Sequence, residues 1–284
     1  MISRNKGILS IEFLLPLLAL VFSVVALEIF YVTLVRPRSE DLMVKRRVIA
    51  AQGGVGAKLG ERSIYIVIMH REPQVEITFC LWGMIVLAYK LGHISRERRL
   101  FKYDFIRIQP GERIIPEDAL DRYKDLKTAI EREPRWRERL LPECLLAALH
   151  RFHATSSVQD AANAIRERTE LASDTLDSQL SLVRYIAWAI PAIGFVGTVR
   201  GIGYALEFAE QAIHGDLSPV TQNLGLAFNA TMVGLAMCIV LMFFLHMVQS
   251  RQEAFIIETQ EFCRDKLIEV MKVPSKEESR ALFS

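Results

Sequence analysis

The chain has 284 residues, 51% of them hydrophobic, with a mean hydropathy of +0.22. Lys plus Arg is 35 against 33 for Asp plus Glu, a formal net charge of +2, which argues against the one-sided basic excess of a nucleic-acid binder. Four cysteines (Cys80, Cys144, Cys238 and Cys263) stand far apart without CxxC or Cys/His spacing, so neither a zinc site nor a disulfide framework is expected.

Crossing about 30 Å of hydrocarbon at about 1.5 Å per residue takes about 20 mostly apolar residues. The first candidate, Ile8 to Val35, carries Glu12 and Glu28 near its ends. Arg4 and Lys6 precede it as in a signal peptide. The run is too long for that and ends in Val35-Arg36-Pro37 without a small-residue cleavage site, so a retained anchor is expected. The second has only 13 uncharged residues, Ile77 to Tyr89. It reaches spanning length, over about 75–92, if Glu76 and Lys90 snorkel. Residues 96–157 are polar with Pro110, Pro116, Pro134 and Pro142, which predicts short helices joined by turns. From Val158 a three- and four-residue apolar spacing predicts one long amphipathic helix, without Pro or Gly, running into a third span at Tyr185 to Leu206. Asp216 and Arg251 bracket 34 residues with no charge, whose apolar part, Leu224 to Val248, is the fourth span. A helix continues beyond it with Phe255, Phe262, Leu267 and Met271 on one side, and the tail after Pro274 reads as frayed.

The expected fold is an all-α integral membrane protein with four transmembrane helices, or three if Ile77 to Tyr89 does not cross, the last two continuing as long cytoplasmic helices. It divides into an N-terminal membrane region (1–92), a cytoplasmic helical region (93–184), a span pair (185–249, with spans at about 185–206 and 224–248) and a cytoplasmic C-terminal helix and tail (250–284). The loop 207–223 holds Glu207, Glu210 and Asp216 and no Lys or Arg, so the positive-inside rule places it outside the cytoplasm. Residues 93–184 and the C-terminus then face the cytoplasm. Residues 36–74 resist the same rule. They hold eight basic residues, which four crossings put outside and three crossings keep inside with an outside N-terminus.

On the third span, Gly194, Gly197, Thr198 and Gly201 share about 100° of a helix surface. Gly197 and Gly201 form a GxxxG pair, which lets membrane helices approach closely. Arg200 and Glu207 lie on the other side. Arg200 either snorkels or pairs with a carboxylate such as Glu207 or one on a neighbour. Pro191 removes a backbone donor and suggests a kink or hinge. The fourth span has a matching stripe of Ala227, Thr231, Gly234 and Cys238. Either threonine alone could bond back to its own helix; together they offer hydroxyls on two facing small-residue surfaces. No Asp or Glu lies deep in these two spans, so a proton path along them would take its carboxylate from another chain.

The stretch IPAIGFVGTVRGIGYAL (Ile190–Leu206), followed by LGLAFNATMVGLA (Leu224–Ala236), resembles the MotA/TolQ/ExbB proton-channel family. The resemblance covers roughly residues 158–270. The layout is more like the MotA branch, and the spacing of the threonine motif is closer to TolQ and ExbB. It implies a stator subunit of a bacterial inner (plasma) membrane, with five copies around two helices of a MotB/TolR/ExbD-like single-span partner. The partner's Asp would carry protons, and their flow would drive mechanical work. Thr198 and Thr231 would line the path, with Gly197, Gly201, Ala227 and Gly234 around them and Pro191 matching a proline of MotA-like members. One departure stands out: TolQ and ExbB carry Glu five residues before the second Thr, where this chain has Leu226. A different reading is a membrane-anchored helical scaffold that conducts nothing. An enzyme is not expected: there is no HExxH or HxH pair, GxSxG or GxxxxGK[ST] loop. No metal or cofactor is expected, and His150 with His153 reads as a solvated pair.

Overall fold

In the computed structural model the described residues are 6–51, 64–106 and 112–273. Arg4 and the tail after Pro274 lie outside them. In chain order the helices are α1 (Lys6–Phe30), α2 (Arg36–Ala51), α3 (Ile64–Ile68), α4 (Arg71–Arg98), α5 (Pro116–Arg132), α6 (Leu140–Thr155), α7 (Val158–Ser178), α8 (Ser181–Glu207), α9 (Ala209–Ile213) and α10 (Ser218–Lys266). Among the described residues there is no strand, only an isolated bridge between Ile114 and Met271. Four helical stretches are long and apolar enough to cross a membrane. The described residues are therefore those of an all-α, multi-pass membrane protein, and Ile77–Tyr89 lies within a helix long and apolar enough to be the second of four spans.

The chain forms two compact units. One comprises residues 1–89 and 181–246, the other 90–180 and 247–284.

In the first unit, α1 passes into α2 through a five-residue π turn, Tyr31–Val35. Pro37 has no N–H to offer the Thr33 carbonyl, and the Arg36 N–H bonds Tyr31 O, five residues back. Residues 36–51 are thus helical rather than part of a loop. The direction of α1 is fixed by its contacts with α4. The Trp82 indole donates to Pro16 O at 2.8 Å, and near the other end the Gln74 amide donates to Glu28 Oε2. The two run antiparallel, and the start of α4 meets the end of α8 through Glu72 and Arg200. The basic stretch after Val35 and the acidic stretch after Leu206 therefore emerge at the same end of this unit. Charge counting alone separates them; in the structure Arg36 is paired with Glu28 at 2.9 Å and Arg38 donates to Tyr65 Oη at 2.6 Å. The outward faces are apolar: Leu17, Val21 and Phe22 on α1, Phe195 and Val199 on α8, Phe228 and Ile239 on α10. Lipid tolerates such faces because each helix satisfies its own backbone.

In the second unit α6 packs between α5 and α7. Leu141, Leu145, Leu149 and Phe152 of α6 are fully buried with Ile165, Cys263 and Leu267. Ser156 adopts φ 51°, the left-handed turn between α6 and α7, and the Ser157 hydroxyl caps α7 by accepting from Asp160 N at 3.2 Å. Main-chain bonds of 2.9 Å tie Ile114 to Val270 and Lys272.

Two helix expectations need correction. The amphipathic helix from Val158 does not run unbroken into the span. It ends at Ser178, and a turn at Gln179–Leu180 precedes α8. There Leu180 N bonds Asp177 O at 3.0 Å, three residues back, which tightens the last turn and breaks the register without Pro or Gly. The helix after Val248 stops at Lys266, and Leu267 and Met271 then bury in the core of the second unit.

Candidate functional site

The site lies wholly in the first unit, where α8 and the first part of α10 come together on their small residues. A Cβ at Gly201 would lie 2.6 Å from Ala227 Cβ and 3.0 Å from its Cα. One at Gly197 would lie 2.9 Å from Ala230 Cβ, and one at Gly194 would lie 3.1 Å from Thr231 Cα. Only glycine fits these points, so the GxxxG pair does in this chain what its spacing predicts: it brings two helices into backbone contact. Gly197, Gly201, Ala227 and Gly234 are consequently buried between helices of the one chain. They form the packed wall behind the hydroxyls.

Close approach sets Thr198 against Thr231. Both are half-buried, and their hydroxyls are hydrogen-bonded to each other. Thr231 Oγ1 also reaches across to Gly194 O at 3.1 Å. Thr198 Oγ1 has two carbonyls in range, Ala227 O across the interface at 3.1 Å and Gly194 O on its own helix at 3.3 Å. A hydroxyl holds one proton and two lone pairs, so two hydroxyls and three carbonyl contacts leave more acceptors than donors. The pair can re-pair its protons without moving a backbone atom. Back-bonding within one helix, the simpler reading of each threonine, accounts for only one of these bonds.

Pro191 acts through its missing donor. The carbonyl it would have bonded is Ala187 O, and the Cys238 thiol of α10 donates to it at 3.2 Å. The small-residue stripe thus ends in a cysteine that fills the gap left by a proline on the neighbouring span.

Arg200 pairs with Glu72 of α4, and its guanidinium lies 5.8 Å from the Tyr204 ring. Glu207, the partner suggested by helix spacing, is exposed at the end of α8. The pairing expected within one helix is therefore made between helices. Seven residues put Arg200 and Glu207 within about 20° of each other around the helix, but about 10 Å apart along its axis. Just before α4, burial pushes the His70 imidazole below its ordinary value, with Glu72 raising it and Arg200 lowering it further.

The sequence reading missed Glu76. Counting uncharged residues made it the edge of a weak span, a group that snorkels. It is instead fully buried on α4, 0% exposed, facing Gly194 and Gly234. The one signal that could have found it is helix length: α4 begins at Arg71, so Glu76 is already in its second turn.

Elsewhere, His153 Nδ1 contacts Pro116 O at 2.9 Å and the His150 ring packs 5.7 Å from Tyr123. No group of three or more His, Cys, Asp or Glu suited to a metal occurs among the described residues.

No curated protein and no solved structure matches the chain. A family model does match, beginning in the second unit ahead of α6 and running to within five residues of the end of α10. Residues 137–261, which hold α8 and both threonines, match the MotA/TolQ/ExbB proton channel family, as the motif around Gly194 to Gly201 implied.

Proposed function

We propose that this chain is the ion-conducting subunit of a proton-driven stator: copies of it, five by resemblance to the family, surround the helices of a MotB/TolR/ExbD-like single-span partner in a bacterial inner membrane. Protons passing along α8 and α10 reach the partner's Asp and their flow is coupled to mechanical work across the envelope. Residues 93–184 and the C-terminus face the cytoplasm. The observation that carries this reading is the Thr198–Thr231 pair, two half-buried hydroxyls bonded across a glycine-packed interface in the part of the chain that matches the family. Hydroxyls so placed hold protons or water in an otherwise apolar wall, and an ion path through a bilayer needs such polar lining.

Native mass spectrometry of the detergent-purified complex, expressed with its genomic neighbours, tests the assembly. Five copies with two of a small single-span protein bearing a membrane Asp are expected. A monomer or dimer would contradict the stator and favour the scaffold.

A further inference from the structure

We propose that Glu76 is a proton-binding group of this chain's own, seated beside the threonine pair. A proton moving along α8 and α10 is then taken up and released by this subunit, in addition to any acid that a partner brings. The inference rests on the channel reading above.

The carboxyl is 0% exposed, and neither of its oxygens has a hydrogen-bond partner. Two glycines from different helices make room for it. A Cβ at Gly194 would lie 3.0 Å from Glu76 Oε1, and one at Gly234 would lie 3.1 Å from the same atom. Thr231 borders the same point, its Cα 3.1 Å from the Gly194 position. An acid in this seat is unexplained by packing. An apolar side chain would fill the space without a buried, unpartnered polar group, which is costly to keep.

The surrounding charges do not supply a counter-ion. Glu72, one turn earlier on α4, takes the Arg200 guanidinium of α8. Tyr31, at the end of the first span, is within electrostatic reach, but its hydroxyl is committed to Ile68 O. Cys80 on α4 points its thiol at Met237 O, 3.8 Å away. From α10 the carboxyl meets Gly234, beside Ala230 and Thr231, none of them charged. With no donor or cation against either oxygen, the arrangement suits the uncharged carboxylic acid. Ionisation calls for a donor that no neighbouring group supplies in this arrangement.

The test uses the whole complex in vesicles. Proton flux driven by a pH gradient is compared for wild type, Glu76→Gln and Glu76→Asp, with assembly checked by native mass spectrometry. In parallel, wild type is treated with dicyclohexylcarbodiimide. The acid proton passes to a carbodiimide nitrogen as a carboxyl oxygen adds to the central carbon, with no leaving group, and the adduct is located by peptide mass spectrometry. Flux in Glu76→Gln is expected to fall by about 100-fold, the lower end of what a positioned proton-transfer group contributes. Asp should restore part of it, and the adduct should lie on Glu76 and block flux. A conducting wild type with an equally conducting Glu76→Gln complex would overturn this inference alone, as would full flux with Glu76 labelled. An assembled wild type that conducts nothing would overturn the channel reading and this inference with it. If Glu76→Gln does not assemble, the labelling decides.

Discussion

The two units of this chain differ in how their helices meet. In the one built on α5 to α7, large side chains are removed from water: Leu145, Leu149 and Phe152 are fully buried, and the hydrophobic effect stabilises each in proportion to its area. In the unit containing α8, large side chains such as Phe195 and Phe228 point outward, Ile186, Ile190, Leu241 and Leu245 are buried, and the contact between α8 and α10 around the threonines is made by Gly194, Gly197, Gly201, Ala227 and Gly234. Lipid is as apolar as leucine, so burial against another helix gains little there. Close backbone contact and hydrogen bonds between helices take its place. Both units bury polar groups, but in different company. In the α5–α7 unit Glu97 is paired with Arg139 and Thr169 accepts from Gln260, whereas in the unit containing α8 the missing side chains of Gly194 and Gly234 leave room for the threonine pair and an unpartnered carboxyl.

Removing bulk should damage the first kind of core, and adding it the second. Phe152→Ala should destabilise the α5–α7 unit by about 3–5 kcal/mol. Hydrogen exchange on the intact protein should then quicken in α5 and α6 while α8 keeps its protection. Equal loss in both units would mean that they do not differ as described. Gly201→Val should act the other way, disturbing α8 and the facing part of α10 by about 1–3 kcal/mol of overpacking, because the new side chain meets Ala227 backbone rather than a movable tip. Exchange in α6 should not change; if α8 also stays protected, the glycine contact is not what holds the pair.

The smallest expected effect is a pH dependence at the mouth of the site. The His70 imidazole is held below its ordinary value of 6.5, chiefly by burial. The unfolded chain therefore takes up this proton first as pH falls. Stability should decline from about pH 6.5 downward, and the decline should level off below the folded-state value. His70→Gln should flatten that slope in thermal melts between pH 7 and pH 5. An unchanged slope would show that His70 is not its source.

Much of the architecture is legible in the sequence because it depends on local pattern. The charge-free run before Arg251 and the glycine spacing on α8 are periodic along one helix, and the structure packs them together. What escapes the sequence depends on partners far apart in it. Arg200 finds Glu72, and Cys238 finds the carbonyl freed by Pro191. Neither pairing follows from spacing, since each joins two helices whose relative rotation the sequence does not encode locally. Glu76 escaped for a different reason. Hydropathy counting treats a charge as the boundary of a span, whereas α4 carries its acid inward to the place where Gly194 and Gly234 have no side chains.

The most direct test of the central claim is proton flux through the reconstituted complex bearing Thr198→Val and Thr231→Val together. Valine keeps the shape and removes both hydroxyls, so assembly should be preserved while flux falls by at least about 100-fold. Wild-type flux from the doubly substituted complex would contradict the account and leave the two small-residue faces as plain helix packing.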